Sequence, residues 1–540
     1  MLNFNHILFT KISQTAFVNT KIVENLQENL SLLKELLPAE DVLTYSFHTK
    51  DGTDCAILYA DGMVDKQVLG ELVARPLTRL TLSVGESKIR NQEPENKGGR
   101  YATNKNEGTM YALNKNGGGR YATNELKETV KTSLLFPELK EEREIKKLVK
   151  EILDGNSVLL VSGLSTAFVV GAKSLPTRTV SEPPTDIAIK GPREGFIEDV
   201  KTNMSLVRKR LKTPKLRFEV VKIGRRSNTN VAVCYLDGIC KNEIKKKILS
   251  QLRKIDIDCI VDSSYLATLL APRQHSIFKQ VGTTEKPDIF CAKLVEGRVG
   301  LLVDGSPIAL TLPFILTEDL QTSEDYFISP FMATIYRAIR FFALCVALLL
   351  PAFYVTAQLF KLQLLPLGLT LTIAGSVQGL PLSPSMEIFV VVLLLEILKE
   401  ASTRMPKYVG MSLSVVGALV LGETAVRAGL LSTTAIIVVA ISGICLYTVP
   451  NFVETGSVLR WIFLLVAGSE GGFGIVLLST FLLYYLVSAD GFGVPLLAPF
   501  SPLCVNDLKD TAVKYGFDGL KNRPKFLDSI NKTRFREKEE

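Results

Sequence analysis

At 540 residues the chain is too long for one ordinary domain, and its average composition, 47% apolar and 22% charged, hides a division along its length. A formal charge of +8 invites a nucleic-acid reading, yet no aromatic-and-basic recognition motif occurs; the Lys and Arg residues lie on amphipathic patterns and beside apolar runs, where anionic lipid and topology account for them. Eight cysteines without a CxxC pair, and three histidines far apart (His6, His48 and His275), argue against a disulfide framework, a zinc site or a catalytic triad.

The opening stretch, "MLNFNHILFTKISQ", lacks the continuous apolar core of a secretory signal, so the N-terminal part is expected in the cytoplasm. Two strand-and-turn stretches then resemble each other: "CAILYADGMVDKQV" (Cys55–Val68) and "VAVCYLDGICKNEI" (Val231–Ile244). Each is an apolar strand, a Tyr-x-Asp-Gly turn and a helix-like run. A second pair, "LDGNSVLLVSGLSTAF" (Leu153–Phe168) and "VEGRVGLLVDGSPIAL" (Val295–Leu310), reads as two hairpins with Gly163 and Gly305 at the turns. The wider spacing of the first pair requires an extra segment in the first copy.

"NKGGRYATNKNEGTMYALNKNGGGRYATN" (Asn96–Asn124) supplies it. This tandem repeat has too few large apolar groups to fold alone and reads as a disordered insertion; a lipid- or partner-binding loop is the alternative. The predicted architecture is an α/β region of two related modules: 1–179, with the insertion near 96–124, and 180–335. Within the second, "FIEDVKTNMSLVRKRLK" places Phe196, Val200, Asn203, Val207 and Leu211 on a core stripe. Lys201, Arg208, Lys209 and Lys212 form a basic face that is solvated, or turned toward lipid or a neighbouring subunit. No P-loop or dinucleotide fingerprint occurs, so no enzyme chemistry, metal or cofactor is expected.

Residues 336–505 read as an α-helical multi-pass membrane domain of about four to six spans at ~20 residues each. The first, Ile339–Leu359, has Arg337 and Arg340 flanking its start, which marks that end as inside, and Pro351 is expected to kink it. "LQLLPLGLTLTIAGSVQGLPLSP" is either a span or an interfacial or re-entrant helix. The next helix ends in Glu396, Lys399, Glu400, Arg404 and Lys407, a cytoplasmic loop by its basic residues. The stretch Val458–Val487 is interrupted by "GSEGGFG" (Gly468–Gly474), which leaves one broken span or a re-entrant pair. Residues 506–540 form a basic tail with nine Lys/Arg, placed in the cytoplasm.

Charges inside these apolar runs are the candidate sites. Glu396, Glu400 and Arg404 follow i,i+4 spacing and are expected to share one face that couples subunits, with Lys399 pointing away to headgroups. A pore-lining acid ring is the competing use of Glu396. Glu423 and Arg427 read either as an ion pair at a helix end, terminated by Gly429, or as a pair on a subunit interface or wet cavity, where Gly417, Ala418 and Gly422 permit close contact. Glu470 is a further pore candidate.

Four stretches resemble the A subunit of GerA-type spore germinant receptors. They are "EPPTDIAIKGPREGFIEDVKTNMSLVRKRLKTPKLRFE" (Glu182–Glu219), "TTEKPDIFCAKLVEGRVGLLVDGSPIALTLP" (Thr283–Pro313), "EILKEASTRMP" (Glu396–Pro406) and "VGALVLGETAVRAGLLS" (Val416–Ser432). The resemblance runs in order over about residues 130–510. It implies a structural role for Gly191, Pro192, Arg193, Glu194, Glu296, Gly297, Arg298, Asp304 and Gly305. It also implies a multi-pass subunit of the spore inner membrane, with the N-terminal domain and tail cytoplasmic. Its partners would be a transporter-like B subunit that recognises the nutrient and a lipoprotein C subunit. Such subunits would form a homo-oligomeric cation channel opened by germinant binding to the B subunit. Departures from the family pattern are Lys286, Lys399, Val377, Gln378, Arg427 and the 96–124 repeat. A non-conducting signalling scaffold and a secondary transporter are the alternatives; the second wants paired broken helices in two related halves, and only one break is visible.

Overall fold

The computed structural model describes residues 21–80, 118–134, 136, 139–174, 190–360, 363 and 365–535. Most of the tandem repeat and the stretch 182–189 lie outside these residues. The repeat's last residues open a helix, Gly118–Ser133, so the insertion is shorter than its sequence pattern.

Two five-stranded antiparallel sheets form the first half. The first contains β1 (Val42–His48), β2 (Asp54–Ala60), β3 (Leu139–Glu142), β4 (Ser157–Val161) and β5 (Ala167–Val170), in the order β1-β2-β4-β5-β3. The second contains β6 (Leu216–Ile223), β7 (Thr229–Leu236), β8 (Gly282–Thr284), β9 (Val299–Val303) and β10 (Ala309–Leu312), in the order β6-β7-β9-β10-β8. The orders match strand for strand.

Each sheet is covered on both faces, which is why its central strands read as unbroken apolar runs rather than alternations. Cys55, Ile57, Leu159 and Val161 pack on one side with Val73, Leu77 and Val130; Ala56, Leu58, Val158 and Leu160 pack on the other. That second side meets α1 (Leu26–Leu36) and α2 (Ile145–Leu153) through Leu30, Leu33, Leu148 and Ile152. In the second sheet Ala232, Cys234 and Leu302 meet α3 (Val200–Arg210) and α5 (Pro287–Glu296), while Val231, Val233 and Leu301 meet α4 (Asn242–Lys254). The turns need left-handed backbone, and glycine supplies it: φ is 75° at Gly62, 78° at Gly238, 85° at Gly163 and 84° at Gly305.

One expectation fails in α3. The helix begins at Val200, capped by the Asp199 carboxylate accepting from the Thr202 amide, so Phe196 and Leu211 lie outside it, though both pack into the same core as Val200 and Val207, as expected. Arg208, expected on the wet face, is 1% exposed. Its Nε and Nη2 donate to the two carboxylate oxygens of Asp41 at 2.9 and 2.7 Å, clamping the second sheet unit to the first. Beside it, Ser205 Oγ donates to the Asp61 carbonyl at 3.3 Å, and a Cβ at Gly62 would run into that hydroxyl. The Tyr-x-Asp-Gly turn of the first unit is therefore a docking surface for α3. After the matching turn in the second unit, the C-terminal chain takes this place: the Ile530 amide donates to the Ile239 carbonyl at 3.1 Å, and Lys241 pairs with Asp528. Read from sequence as a basic tail, this segment is folded onto the protein, with Asp507, Lys514, Arg523 and Ser529 buried.

The second half is helical: α6 (Pro330–Leu359), α7 (Leu367–Val377), α8 (Pro384–Arg404), α9 (Lys407–Leu419), α10 (Thr433–Tyr447) and α11 (Val453–Ser488). Among the described residues, two stretches are long and apolar enough to cross a membrane, Pro330–Leu359 and Pro450–Ser488, with mean hydropathy 2.2 and 1.8. At 11 residues α7 is too short to span ~30 Å. Exposed aromatic and aliphatic groups such as Phe342, Leu367, Phe473 and Tyr484 give the bundle an apolar exterior.

α11 folds back on itself. Gly471 has φ 62° and ψ −144°, outside any helical region. Thr455 Oγ donates to the Ile277 carbonyl at 2.7 Å, and the Tyr485 hydroxyl donates to Ser276 Oγ at 2.9 Å. Both ends thus meet one loop, although a straight helix would hold them ~45 Å apart. A Cβ at Gly474 would lie 2.6 Å from Val466 Cγ1, and one at Gly471 would lie 2.8 Å from Phe360 at the end of α6. Of the two readings of "GSEGGFG", the break is a reversal between two arms.

Candidate functional site

Where the sheets meet the helices, a belt of charge is sealed from solvent. Asp325, in the 3-10 turn Ser323–Tyr326, is fully buried and accepts from Arg337 Nε at 3.0 Å and from Arg340 Nη1 and Nη2 at 2.9 Å each. Burial pushes this carboxyl up, but the bonds from Arg340 and Arg337 outweigh it and hold it below the usual carboxylate range. Arg337 also donates to the Asp510 carbonyl and, at 3.3 Å, to that of Thr511. The two arginines at the start of α6 are therefore structural clamps, beyond any part they play in topology.

Of the family-motif residues, Glu296, Gly297 and Arg298 lie beside this belt. Arg298, 1% exposed, pairs with Glu318 and with Glu296 at 3.3 Å, and donates to the Pro313 carbonyl at 2.6 Å. Lys293 holds the other Glu318 oxygen at 2.6 Å, and Arg534 of the tail holds Glu296 at 3.1 Å. Gly297 ends α5 with φ 113°, where a Cβ would sit 2.5 Å from Ser529 Oγ. Gly191, φ 118°, lies against Phe327 of the segment leading into α6. Glu194 ties Lys209 and Arg210, and Asp304 accepts from Asn230 beside the Gly305 turn. Pro192 and Arg193 continue the Gly191 loop.

Inside the bundle a second polar cluster joins four helices. Arg460, on the first arm of α11, is 1% exposed and donates to Glu396 of α8 at 2.6 Å. Lys399 pairs with the same carboxylate at 3.1 Å and reaches Ser457 Oγ at 3.1 Å. Arg460 also donates to Ser442 Oγ of α10 at 3.3 Å, and Ser442 donates to the Ala347 carbonyl of α6 at 2.7 Å. In an apolar bundle such charges persist only when paired.

This arrangement corrects the expected grouping on α8. Glu396 turns inward to Arg460, and Lys399, expected to point to headgroups, follows it because the carboxylate has two free oxygens to fill. Glu400 and Arg404 remain an exposed pair at 2.6 Å. Glu423 and Arg427 pair at 2.5 Å, also exposed, next to the π turn Val420–Thr424, and Gly429 at φ 62° ends that helix. Glu470 is exposed beside the Gly471 reversal. Sequence reasoning missed Arg460, Asp41, Asp325 and Glu387. The lone Arg460 in "VLRWIFLL" and lone Glu387 in "MEIFVVV" were the available signals.

Two stretches long and apolar enough to cross a membrane, tied by buried ion pairs to a double α/β unit, suggest a membrane protein. The chain belongs to the GerA family: the model for Bacillus/Clostridium GerA spore germination protein matches residues 24–526. It is 29% identical over 521 residues to spore germination protein KA of Bacillus subtilis strain 168, covering 96% of this chain and 88% of that one. It is 35% identical over 373 residues to spore germination protein GerQA of Bacillus cereus, covering 69% and 75%. The crystal structure of the N-terminal domain of the A subunit of the Bacillus megaterium spore germinant receptor GerK3 aligns at 25% identity and TM-score 0.37, over 54% of this chain and 96% of that domain. The protein thus acts in spore germination, within a family not known as enzymes.

Proposed function

We propose that this chain is the membrane subunit of a nutrient germinant receptor, assembling as an oligomeric cation channel that opens when a partner subunit binds germinant and so triggers germination. Its partners are a transporter-like B subunit and a lipoprotein C subunit, in the spore inner membrane. Residues 1–179 and 180–335 form the cytoplasmic modules, 336–505 cross the membrane several times, and 506–540 return to the cytoplasm. The observation that carries the reading is the Arg460–Glu396–Lys399 cluster, because charge buried among apolar helices marks ion paths and moving elements. Joined to the charged belt through α6, it gives a route from the modules to the bundle.

The test is co-reconstitution of the chain with its B and C partners in liposomes loaded with potassium. Germinant-dependent passive efflux is the expected result. Silence with all partners present favours a non-conducting scaffold, and uptake coupled to a gradient favours a secondary transporter.

A further inference from the structure

We infer that Glu387 anchors a binding site for one dehydrated alkali-metal cation within the helical bundle, separate from the Arg460 cluster. Glu387 lies in the first turn of α8 and is fully buried. Its Oε1 accepts from the backbone amide of Ser432, the residue that caps α10. Its Oε2 is buried and, among the described residues, has no hydrogen-bond partner. Among the described residues no lysine, arginine or histidine pairs with it, unlike Glu396, which has two cationic partners. A bare carboxylate in so apolar a place is costly, and one half of it is left unused by the bond to the Ser432 amide.

Hydroxyls gather at the same point. Thr434 Oγ1 lies 2.7 Å from the Tyr354 hydroxyl, 3.2 Å from Ser376 Oγ and 3.2 Å from Ser432 Oγ. Ser432 belongs to both sets, its amide donating to Glu387 and its hydroxyl meeting Thr434, which places the carboxylate beside the group. Gln358, one turn beyond Tyr354 on α6, has buried amide atoms without hydrogen-bond partners among the described residues. Tyr354 stands ~21 Å along α6 from Arg340, far from the charged belt. All the donors are hard oxygens, which suit sodium or potassium and not zinc or copper. One carboxylate balances a single positive charge; a divalent ion would leave the buried site charged.

The inference goes beyond the proposed channel, since the site holds its ion whether or not the assembly conducts. Its readout is therefore binding, not conductance. Radiolabelled sodium and rubidium are titrated onto the detergent-purified full chain at fixed pH with choline as the ionic control, and the thermal midpoint is followed in parallel. The expected result is saturable binding of one of the two, with a midpoint that rises with that ion. Glu387→Gln should weaken binding by about tenfold or more, and Thr480→Ala on the exposed face of α11 should leave it unchanged. Because Glu387 also holds the amide of the α10 cap residue Ser432, Thr434→Val is the second variant: it leaves that bond in place, and it too should weaken binding about tenfold. No saturable uptake by the folded wild-type chain overturns the site. So does a midpoint that follows pH alone, which makes Glu387 a proton carrier, or a Thr434→Val chain that binds as wild type does.

Discussion

Arg460 and Glu396 come from helices far apart in sequence, yet their guanidinium and carboxylate meet at 2.6 Å with the arginine sealed from solvent. Removing one partner leaves the other charge buried alone, which costs about 3–5 kcal/mol in comparable sites. Arg460→Met still leaves Glu396 its lysine, so Glu396→Gln should be the worse change, stranding Arg460. The pair Glu396→Met with Arg460→Met should recover much of the loss. Thermal unfolding of the detergent-solubilised chain reads all three. If Glu396→Gln is stable but alters cation selectivity in the reconstituted receptor, Glu396 lines the ion path instead.

Glu400 and Arg404 should behave differently. They are exposed on α8, and a solvated pair of this kind stabilises a chain by well under about 1 kcal/mol. Arg404→Glu is therefore expected to leave the unfolding midpoint in place and to weaken assembly, if this face couples subunits. Adding Glu400→Arg should restore part of the assembly. Size-exclusion chromatography with light scattering separates the effects, and unchanged assembly in both variants removes the coupling role.

The double sheet was legible because its turns are chemical. Tyr-x-Asp-Gly at Asp61–Gly62 and Asp237–Gly238, and the hairpin glycines Gly163 and Gly305, all need positive φ, so their sequence signature survives divergence. The tertiary partners were not legible. Arg208 reads as one more base on a basic helix until Asp41 arrives from the other unit, and no periodicity carries that information. The arms of α11 were ambiguous for a like reason: "GSEGGFG" permits a kink or a reversal, and only packing against Phe360 and the loop 273–278 decides.

Loss of the Asp41–Arg208 clamp should be felt between the units rather than within them. Both side chains are buried, at 5% and 1% exposure, so Asp41→Asn leaves a guanidinium short of its counter-charge. A destabilisation of about 3 kcal/mol is expected, with faster proteolysis between the sheet units, read by mass mapping of early fragments. Arg208→Lys should not rescue it, because an ammonium cannot bind both carboxylate oxygens in plane.

Asp319 gives the belt a pH dependence of its own. Burial pushes its carboxyl up to about 7, opposed by Lys279 and Lys293 and reinforced by Glu318. An acid whose folded pKa is raised favours the folded state most when it is protonated. Its contribution is thus fully present below the unfolded carboxylate range and is lost as pH rises through about 7. The wild-type midpoint should fall between pH 5 and 8, and Asp319→Asn should flatten that slope. An unchanged slope assigns the dependence to another group.

The reversal at Gly471 makes the most direct structural prediction. In a continuous helix, positions 466 and 474 stand eight residues or ~12 Å apart, too far for a disulfide. In the folded-back chain a Cβ at Gly474 touches Val466. A chain carrying Val466→Cys and Gly474→Cys should therefore cross-link within one molecule on mild oxidation, identified by mass mapping against the eight native cysteines, all of which are free. Gly471→Ala should oppose the link twice over: alanine disfavours φ 62°, and its methyl meets the Phe360 ring at 2.8 Å. Phe360→Ala in the same background removes the second obstacle and leaves the first, so it should restore cross-linking only in part. Failure of the double-cysteine chain to link, with both thiols open to labelling, would mean that α11 runs straight.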